Sequence, residues 1–280
     1  MKVEYWLRQA VQALEQAGIG TARLDALVLL EDVLAIDRAR LLAEPEREIT
    51  PEQAEKLTKL LSRRAAHEPL AYIRGHTEFY GRNFVITPAV LEPRPESETM
   101  IDLLKKLSGD GKIQPRNGQK LLIGDVGTGS GALGITAQLE LPDTSVELLE
   151  LDSAALEVAQ SNVDKFTLSI SVIESDLLDG SATNFDVLLC NLPYVPDDHT
   201  INRAATNEPK IAIFGGPDGL DLYRKLFKQL QNRSNQPLYI LTESLPTQHA
   251  ELAQLAEPQQ YKLAESEDFI QVFKLAVNKV

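Results

Sequence analysis

The feature that most constrains this chain is an apolar run that breaks directly into glycines: Leu121-Leu122-Ile123-Gly124-Asp125-Val126-Gly127-Thr128-Gly129-Ser130-Gly131. A short apolar stretch ending in a glycine-rich turn reads as a buried strand, and the helical pattern behind it starts where the chain reverses. Five more apolar stretches follow, at residues 145–150, 169–173, 186–190, 238–242 and 269–275, with helical segments between them. Strands alternating with helices predict βαβ units. The expected fold class is therefore α/β, with a mostly parallel sheet covered by helices on both faces. Ligands of such sheets bind beyond the carboxyl ends of the strands.

Upstream the periodicity is different. Leu7, Ala10, Val11 and Leu14 recur at helical spacing until Gly18, and Leu24, Leu27, Val28 and Leu34 mark a second amphipathic run. Thr50-Pro51-Glu52-Gln53 has a capping threonine, a proline suited to the first turn and a glutamine placed to complete a capping box, so a helix starts there and turns Leu57, Leu60 and Leu61 inward. No cluster of catalytic side chains occurs in this part, and a small helical bundle that holds a partner is expected. Residues 72–90 are aromatic and β-branched with Gly75 and Gly81 as breakers, a β-hairpin pattern. A helix is expected over about 96–107, then a surface loop over 108–118. The predicted organisation is a helical recognition domain at 1–71, a hairpin linker at 72–93 and an α/β domain at 94–280.

Bulk properties exclude several function classes. A formal net charge of -13 opposes a duplex nucleic acid, and the basic clusters Arg63-Arg64 and Lys105-Lys106 are ordinary helix faces. Cys190 is the single cysteine, so no intramolecular disulfide can form, and it is expected to be buried filler. His67, His76, His199 and His249 are scattered, which argues against a metal site. The amino terminus is interrupted by charge and no apolar run approaches the roughly 20 residues that span a bilayer. A cytoplasmic protein with no membrane association is expected.

The glycine turn presents backbone N–H groups at a helix start, where a ligand can approach closely. Taken alone it fits a dinucleotide pyrophosphate or a plain tight turn. The G-x-G-x-G spacing and the carboxylate of Asp125 before it favour a ligand with a cationic or hydrogen-donating end. The aminocarboxypropyl and sulfonium groups of S-adenosylmethionine have that character. Glu150 ends the second strand, where an acid can accept from ribose hydroxyls, and Asp176 follows the third, within reach of an adenine amino group.

The fourth strand leads into Asn191-Leu192-Pro193-Tyr194, which resembles the N/D-P-P-Y/F motif of methyltransferases that modify nitrogen in a planar group. Such a nitrogen is a poor nucleophile because its lone pair is delocalised. Accepting its two N–H hydrogens, by the Asn191 side-chain oxygen and the Leu192 carbonyl, would localise that pair in the transition state, while Tyr194 packs on the planar group.

The whole chain resembles the HemK/PrmC family of protein-(glutamine-N(5)) methyltransferases acting on peptide chain release factors. The likeness is carried by Pro69-Leu70-Ala71-Tyr72-Ile73-Arg74-Gly75, Glu78-Phe79-Tyr80-Gly81 and Leu91-Glu92-Pro93-Arg94-Pro95-Glu96-Ser97-Glu98. It extends through the glycine loop, Asn191 to Tyr194, Asn207-Glu208-Pro209 and Gly215-Gly216-Pro217-Asp218-Gly219-Leu220. The resemblance implies a Rossmann-like class I methyltransferase fold and methylation of the glutamine in a release factor's Gly-Gly-Gln loop, with S-adenosylmethionine as donor and S-adenosylhomocysteine as product. It implies cofactor contacts at Asp125, Gly127, Thr128, Gly129, Ser130, Gly131, Glu150, Asp176, Leu177 and Asn191. It also implies substrate contacts at Leu91, Arg94, Asn191, Leu192, Pro193 and Tyr194.

Two positions depart from the family pattern. Leu192 replaces the first motif proline, which removes a φ lock and adds an N–H that needs a partner. Glu92 replaces an aliphatic residue; it either alters substrate preference or faces solvent. The competing functions are methylation of a ribosomal-protein glutamine, methylation of a nucleic-acid adenine, which the charge opposes, and cofactor binding with little catalysis.

Overall fold

A computed structural model describes residues 1–116, 120–200 and 205–276. The end of the expected 108–118 loop thus lies outside the described residues. The described residues form two compact units, one comprising 1–76 with 205–207 and the other 77–200 with 208–276.

The first unit is helical: α1 (Val3–Gln16), α2 (Ala22–Leu34), α3 (Arg38–Ala43), α4 (Pro51–Ala65) and α5 (Leu70–Arg74). Its core is built by Trp6, Ala10 and Leu14 of α1 with Ala26, Leu29 and Leu30 of α2 and Leu57 of α4. The buried seam of α1 is Val3, Trp6, Ala10 and Leu14, so Leu7 and Val11 flank it instead of lining it. The capping box forms as expected: Gln53 N–H donates to Thr50 Oγ1 at 3.3 Å and Thr50 N–H to Gln53 Oε1 at 3.0 Å. Arg64 is buried, and it is satisfied by Asp25 at 2.6 Å and by the Glu68 carbonyl at 3.0 Å, as a charge removed from water must be.

The second unit begins at Thr77, within the first of the hairpin strands β1 (His76–Phe79) and β2 (Arg82–Val85). The hairpin is shorter than its aromatic and β-branched composition suggests, because Tyr72, Ile73 and Arg74 close the helical turn of α5. There follow α6 (Glu98–Gly109), β3 (Leu121–Val126), α7 (Ala132–Glu140), β4 (Thr144–Glu150), α8 (Ser153–Lys165), β5 (Ser171–Glu174) and β6 (Val187–Cys190). Then come α9 (Asp221–Gln231), β7 (Tyr239–Glu243), α10 (His249–Ala256), β8 (Tyr261–Glu267) and β9 (Ile270–Leu275).

Seven strands make one sheet in the order β5-β4-β3-β6-β7-β9-β8. The first five are parallel, while β9 runs antiparallel to both β7 and β8. Chain order reverses at β3, which has β4 on one side and β6 on the other. That is the switch point at which such sheets bind ligands. The sheet is the expected Rossmann-like one, extended by β8, whose Tyr261-Lys262-Leu263-Ala264-Glu265-Ser266-Glu267 carries no apolar run. Cys190 is fully buried, as expected.

Candidate active site

At the end of β3, the Gly127 and Thr128 N–H groups both donate to the Leu149 carbonyl, at 2.8 and 3.0 Å, which ties the glycine turn to the end of β4. Gly127 has φ +68°, which favours glycine, and a β-carbon there would stand 3.0 Å from Leu192 Cδ2, a tight contact that the leucine would have to relieve. Asp125 turns away from the ligand side. Its carboxylate accepts from the Thr128 hydroxyl and from Gly134 N–H at 2.8 Å, which fastens the turn to α7. Burial pushes its pKa up to about 6, against the opposing effect of those two donors.

Glu150 is engaged as well. It accepts Gly129 N–H at 2.9 Å on one oxygen, and Leu151 and Asp152 N–H at 2.8 and 3.1 Å on the other. A carboxylate has about four lone-pair sites, so about one remains for a ligand hydroxyl instead of the two the sequence suggested. Asp176 pairs with Lys225, and Leu177 adopts φ +54° with its carbonyl accepting from Ser175.

These elements enclose a cleft. Of the expected residues, Gly127, Thr128, Gly129, Ser130, Glu150, Asp176, Leu177, Leu91, Asn191, Leu192 and Pro193 line it. Asp125 and Gly131 do not, and neither do Arg94 and Tyr194. Arg94 is held by Glu208 at 2.5 Å. Glu92, the second departure, accepts from Thr77 Oγ1 at 2.9 Å and stands 3.9 Å from Arg94, so it is neither free in solvent nor on the cleft wall.

The character of the wall discriminates between ligands. It carries Glu150, Asp152 and Asp176, and no Lys, Arg or His is among its described residues. Three acids without a base disfavour a pyrophosphate and suit a ligand bearing an ammonium and a sulfonium. Leu91, Leu151 and Leu177 add apolar surface for a flat base. The residues present thus fit S-adenosylmethionine.

Asn191 begins at the end of β6. Its Nδ2 donates to Ser97 Oγ at 3.0 Å, and the Ser97 hydroxyl donates in turn to Glu243 Oε2 at 2.6 Å. The Tyr194 hydroxyl donates to Glu243 Oε1 at 3.0 Å. None of the described residues donates to Asn191 Oδ1. Leu192 is only 1% exposed, within the core of β6, β7 and α9. Its backbone N–H lies against the Tyr223 hydroxyl, which also meets the Glu243 and Cys190 carbonyls at 2.6 and 2.9 Å.

Glu243 and Ser97 were not singled out by sequence reasoning. The expected strand 238–242 stopped one residue short of Glu243, and reading it to its end would have put a fourth acid at a strand terminus. Ser97 lies inside the most discriminating motif but carries no chemistry of its own to mark it. The segment Gly215–Leu220 is placed differently again: Gly215 N–H donates to Val195 O and Val195 N–H to Ile213 O, both at 3.0 Å, so it straps the acceptor motif from behind.

Comparisons with known proteins agree with this geometry. Residues 5–75 match the PrmC N-terminal domain and residues 103–208 the methyltransferase small domain. The release factor glutamine methyltransferase of Koribacter versatilis is 37% identical over 79% of this chain and 78% of its own length. That of Moorella thermoacetica is 36% identical over 81% and 79%. A methyltransferase structure from Pyrococcus furiosus superposes with a TM-score of 0.52, at 14% identity, over 81% of this chain and 100% of its own, which shows a shared fold. With a cleft whose residues fit S-adenosylmethionine and relatives of this identity over most of their length, the chain belongs to the release factor glutamine methyltransferase family, enzymes that use S-adenosylmethionine as methyl donor.

Proposed function

We propose that this protein transfers a methyl group to the side-chain amide nitrogen of the glutamine in the Gly-Gly-Gln loop of a peptide chain release factor. The chemistry rests on one observation: the nitrogen edge of the Asn191 amide is occupied by Ser97, leaving Oδ1 as an acceptor at the cleft. The acceptor protein is supported by the names of relatives that cover about four fifths of the chain.

S-adenosylmethionine would supply an electrophilic methyl on a sulfonium: the nitrogen–methyl bond forms as the sulfur–methyl bond breaks, S-adenosylhomocysteine leaves, and the nitrogen gives up one of its two protons to water. Asn191 Oδ1 and the Leu192 carbonyl each accept one N–H of the substrate amide, which draws its lone pair out of conjugation and aims it at the methyl. Acceptors held in place before charge develops contribute to the transition state and not to the ground state. Pro193 and Leu91 wall the acceptor end of the cleft. Burial beside Glu243 holds the Tyr194 hydroxyl far above its ordinary pKa. Tyr194 therefore stays a donor to Glu243, does not act as a base and, lying off the cleft wall, acts on the substrate through Glu243. Glu150 offers its remaining lone pair to a ribose hydroxyl; Asp176 and Leu177 border the base, and the turn at 127–131 the aminocarboxypropyl end. Asp125 and Gly131 act through the shape of that turn, and Arg94 through Glu208 and the segment beyond it.

The helical unit is assigned to partner recognition, with 1–71, 72–93 and 94–280 as the functional divisions. No helix among the described residues is long and apolar enough to cross a membrane. A cytoplasmic location and a protein acceptor belong to this reading, and the charge of -13 supports a protein over a nucleic acid as acceptor.

The test incubates the protein and labelled S-adenosylmethionine with release factor, ribosomal protein, RNA or DNA. Label should enter the release factor only when its loop glutamine is intact, and Asn191→Ala should slow transfer by about 100-fold or more, the scale of one preorganised hydrogen-bonding group. Label in nucleic acid, or full transfer by Asn191→Ala, would refute the assignment.

A further inference from the structure

We propose that the Glu243 carboxylate is the positioning residue that decides which edge of the Asn191 amide faces the cleft, acting through the Ser97 hydroxyl and through its own attraction for the Asn191 NH2.

Glu243 ends β7 and is 1% exposed. An ionised carboxylate only accepts, and its two oxygens take the Ser97 and Tyr194 hydroxyls at 2.6 and 3.0 Å. Ser97 has one hydroxyl hydrogen. Spent on Glu243, it leaves Ser97 Oγ able only to accept, so the edge of Asn191 at 3.0 Å must be its NH2. The amide oxygen is then turned outward. An asparagine amide is nearly symmetric in shape, and packing alone holds its two orientations almost equally well. Here the order of donors and acceptors separates them, and that order starts at Glu243, which among Glu243, Ser97, Tyr194 and Asn191 is the one side chain with no hydrogen to give when ionised. The backbone is fixed at the same place: the Tyr223 hydroxyl meets the Glu243 carbonyl and the Cys190 carbonyl just before Asn191.

Burial raises the Glu243 pKa, while Ser97, Tyr194 and Asn191 lower it by favouring the ionised form. A buried carboxylate kept for three neighbouring donors at the end of a strand stabilises the fold poorly compared with an apolar residue. Its place is explained by what it orients.

Glu243→Gln reverses the order at one point. When the new NH2 faces Ser97, that hydroxyl turns to donate to Asn191, the Asn191 amide flips, and an NH2 confronts the substrate N–H. This inference rests on the methyl-transfer reading above. With release factor as acceptor, Glu243→Gln should lower kcat tenfold or more while KM for the release factor and Kd for S-adenosylmethionine stay within twofold. A merely structural role would move those constants and the Tm instead.

The side-chain amide resonances of Asn191, identified by their loss in Asn191→Ala, test the orientation without any substrate. One slowly exchanging NH2 pair is expected in the unaltered protein, and doubled or broadened signals in Glu243→Gln. An unchanged kcat, or the same single pair in both proteins, would overturn the inference. If the unaltered protein fails to methylate release factor, the functional assignment falls while the resonances still decide this one.

Discussion

Asn162 offers a sharp test of how the cleft is held together. It sits on α8, fully buried, and uses its whole amide: Oδ1 accepts Val85 N–H at 2.7 Å, and Nδ2 donates to the Val85 and Ser130 carbonyls at 3.0 and 2.9 Å. One side chain therefore joins the hairpin, the glycine turn and α8. Replacing it with alanine deletes three hydrogen bonds worth about 0.5–1.5 kcal/mol each and strands a Ser130 carbonyl whose desolvation costs about 1–3 kcal/mol. Water can recover part of this at the half-buried Val85, so a net loss of about 3 kcal/mol is expected, or about 6–12 °C in Tm for a unit of this size. Asn162→Asp distinguishes the hydrogen-bond account from simple loss of volume. Its shape is conserved, but an acceptor edge now faces two carbonyls. The aspartate pKa should rise above its unfolded value of about 3.9, so the variant should come close to the unaltered protein near pH 4 and lose stability progressively as pH rises toward 7. Thermal unfolding from pH 4 to 8 measures this directly, and addition of S-adenosylmethionine should stabilise both variants less than the unaltered protein because Ser130 lines the cleft. If Asn162→Asp at pH 7 unfolds at the same temperature as the unaltered protein, the network does not have the polarity described.

Asp125 predicts a second pH dependence. Its folded pKa, about 6, lies above the ordinary aspartate value of 3.8, so its contribution to stability is fully present below pH 4 and is lost as pH rises through 6. The loss is about 3 kcal/mol by linkage, and the Tm difference between the unaltered protein and Asp125→Asn should change across that window; a difference independent of pH would refute the burial account. Gly219 has φ +81°, and a β-carbon there would fall 2.0 Å from the Tyr194 carbonyl. Gly219→Ala should therefore push the strap off the acceptor motif and lower kcat about tenfold or more with little change in cofactor Kd, whereas Gly20→Ala, with nothing within 4 Å, should be silent in both assays.

The βαβ frame was legible because buried parallel strands are nearly continuous apolar runs, and β3, β6 and β7 have that form. β8 was not, since an edge strand faces solvent and carries charge: only Tyr261 of its seven residues is buried. In the site, glycines and acids at strand ends announced the cleft, but not which way each acid points. Asp125 was expected at the ligand and is instead captured by the first turn of α7, where a free N–H outcompetes solvent for it. Glu243 and Asn162 act only through partners distant in sequence, Ser97 for one and Val85 and Ser130 for the other, and spacing along the chain carries no trace of such pairs.

Leu192 shows why a departure from a motif has to be weighed in three dimensions. Read along the chain, it removes a proline and with it a backbone restraint worth about 0.4–1 kcal/mol through the unfolded state. In the fold the same side chain is almost fully removed from water, against Gly127 and the core between β6 and α9. Burying a leucine side chain contributes about 1.5–3 kcal/mol, part of which a proline's smaller ring would also have supplied. The new N–H lies against the Tyr223 hydroxyl, which is anchored by two carbonyls of the neighbouring strands. Packing thus offsets the lost φ restraint, and the carbonyl proposed as an acceptor is unchanged by the substitution. What leucine alters is the coupling: its Cδ2 is the atom that a side chain at Gly127 would strike, so the acceptor motif and the cofactor turn are in direct contact through it.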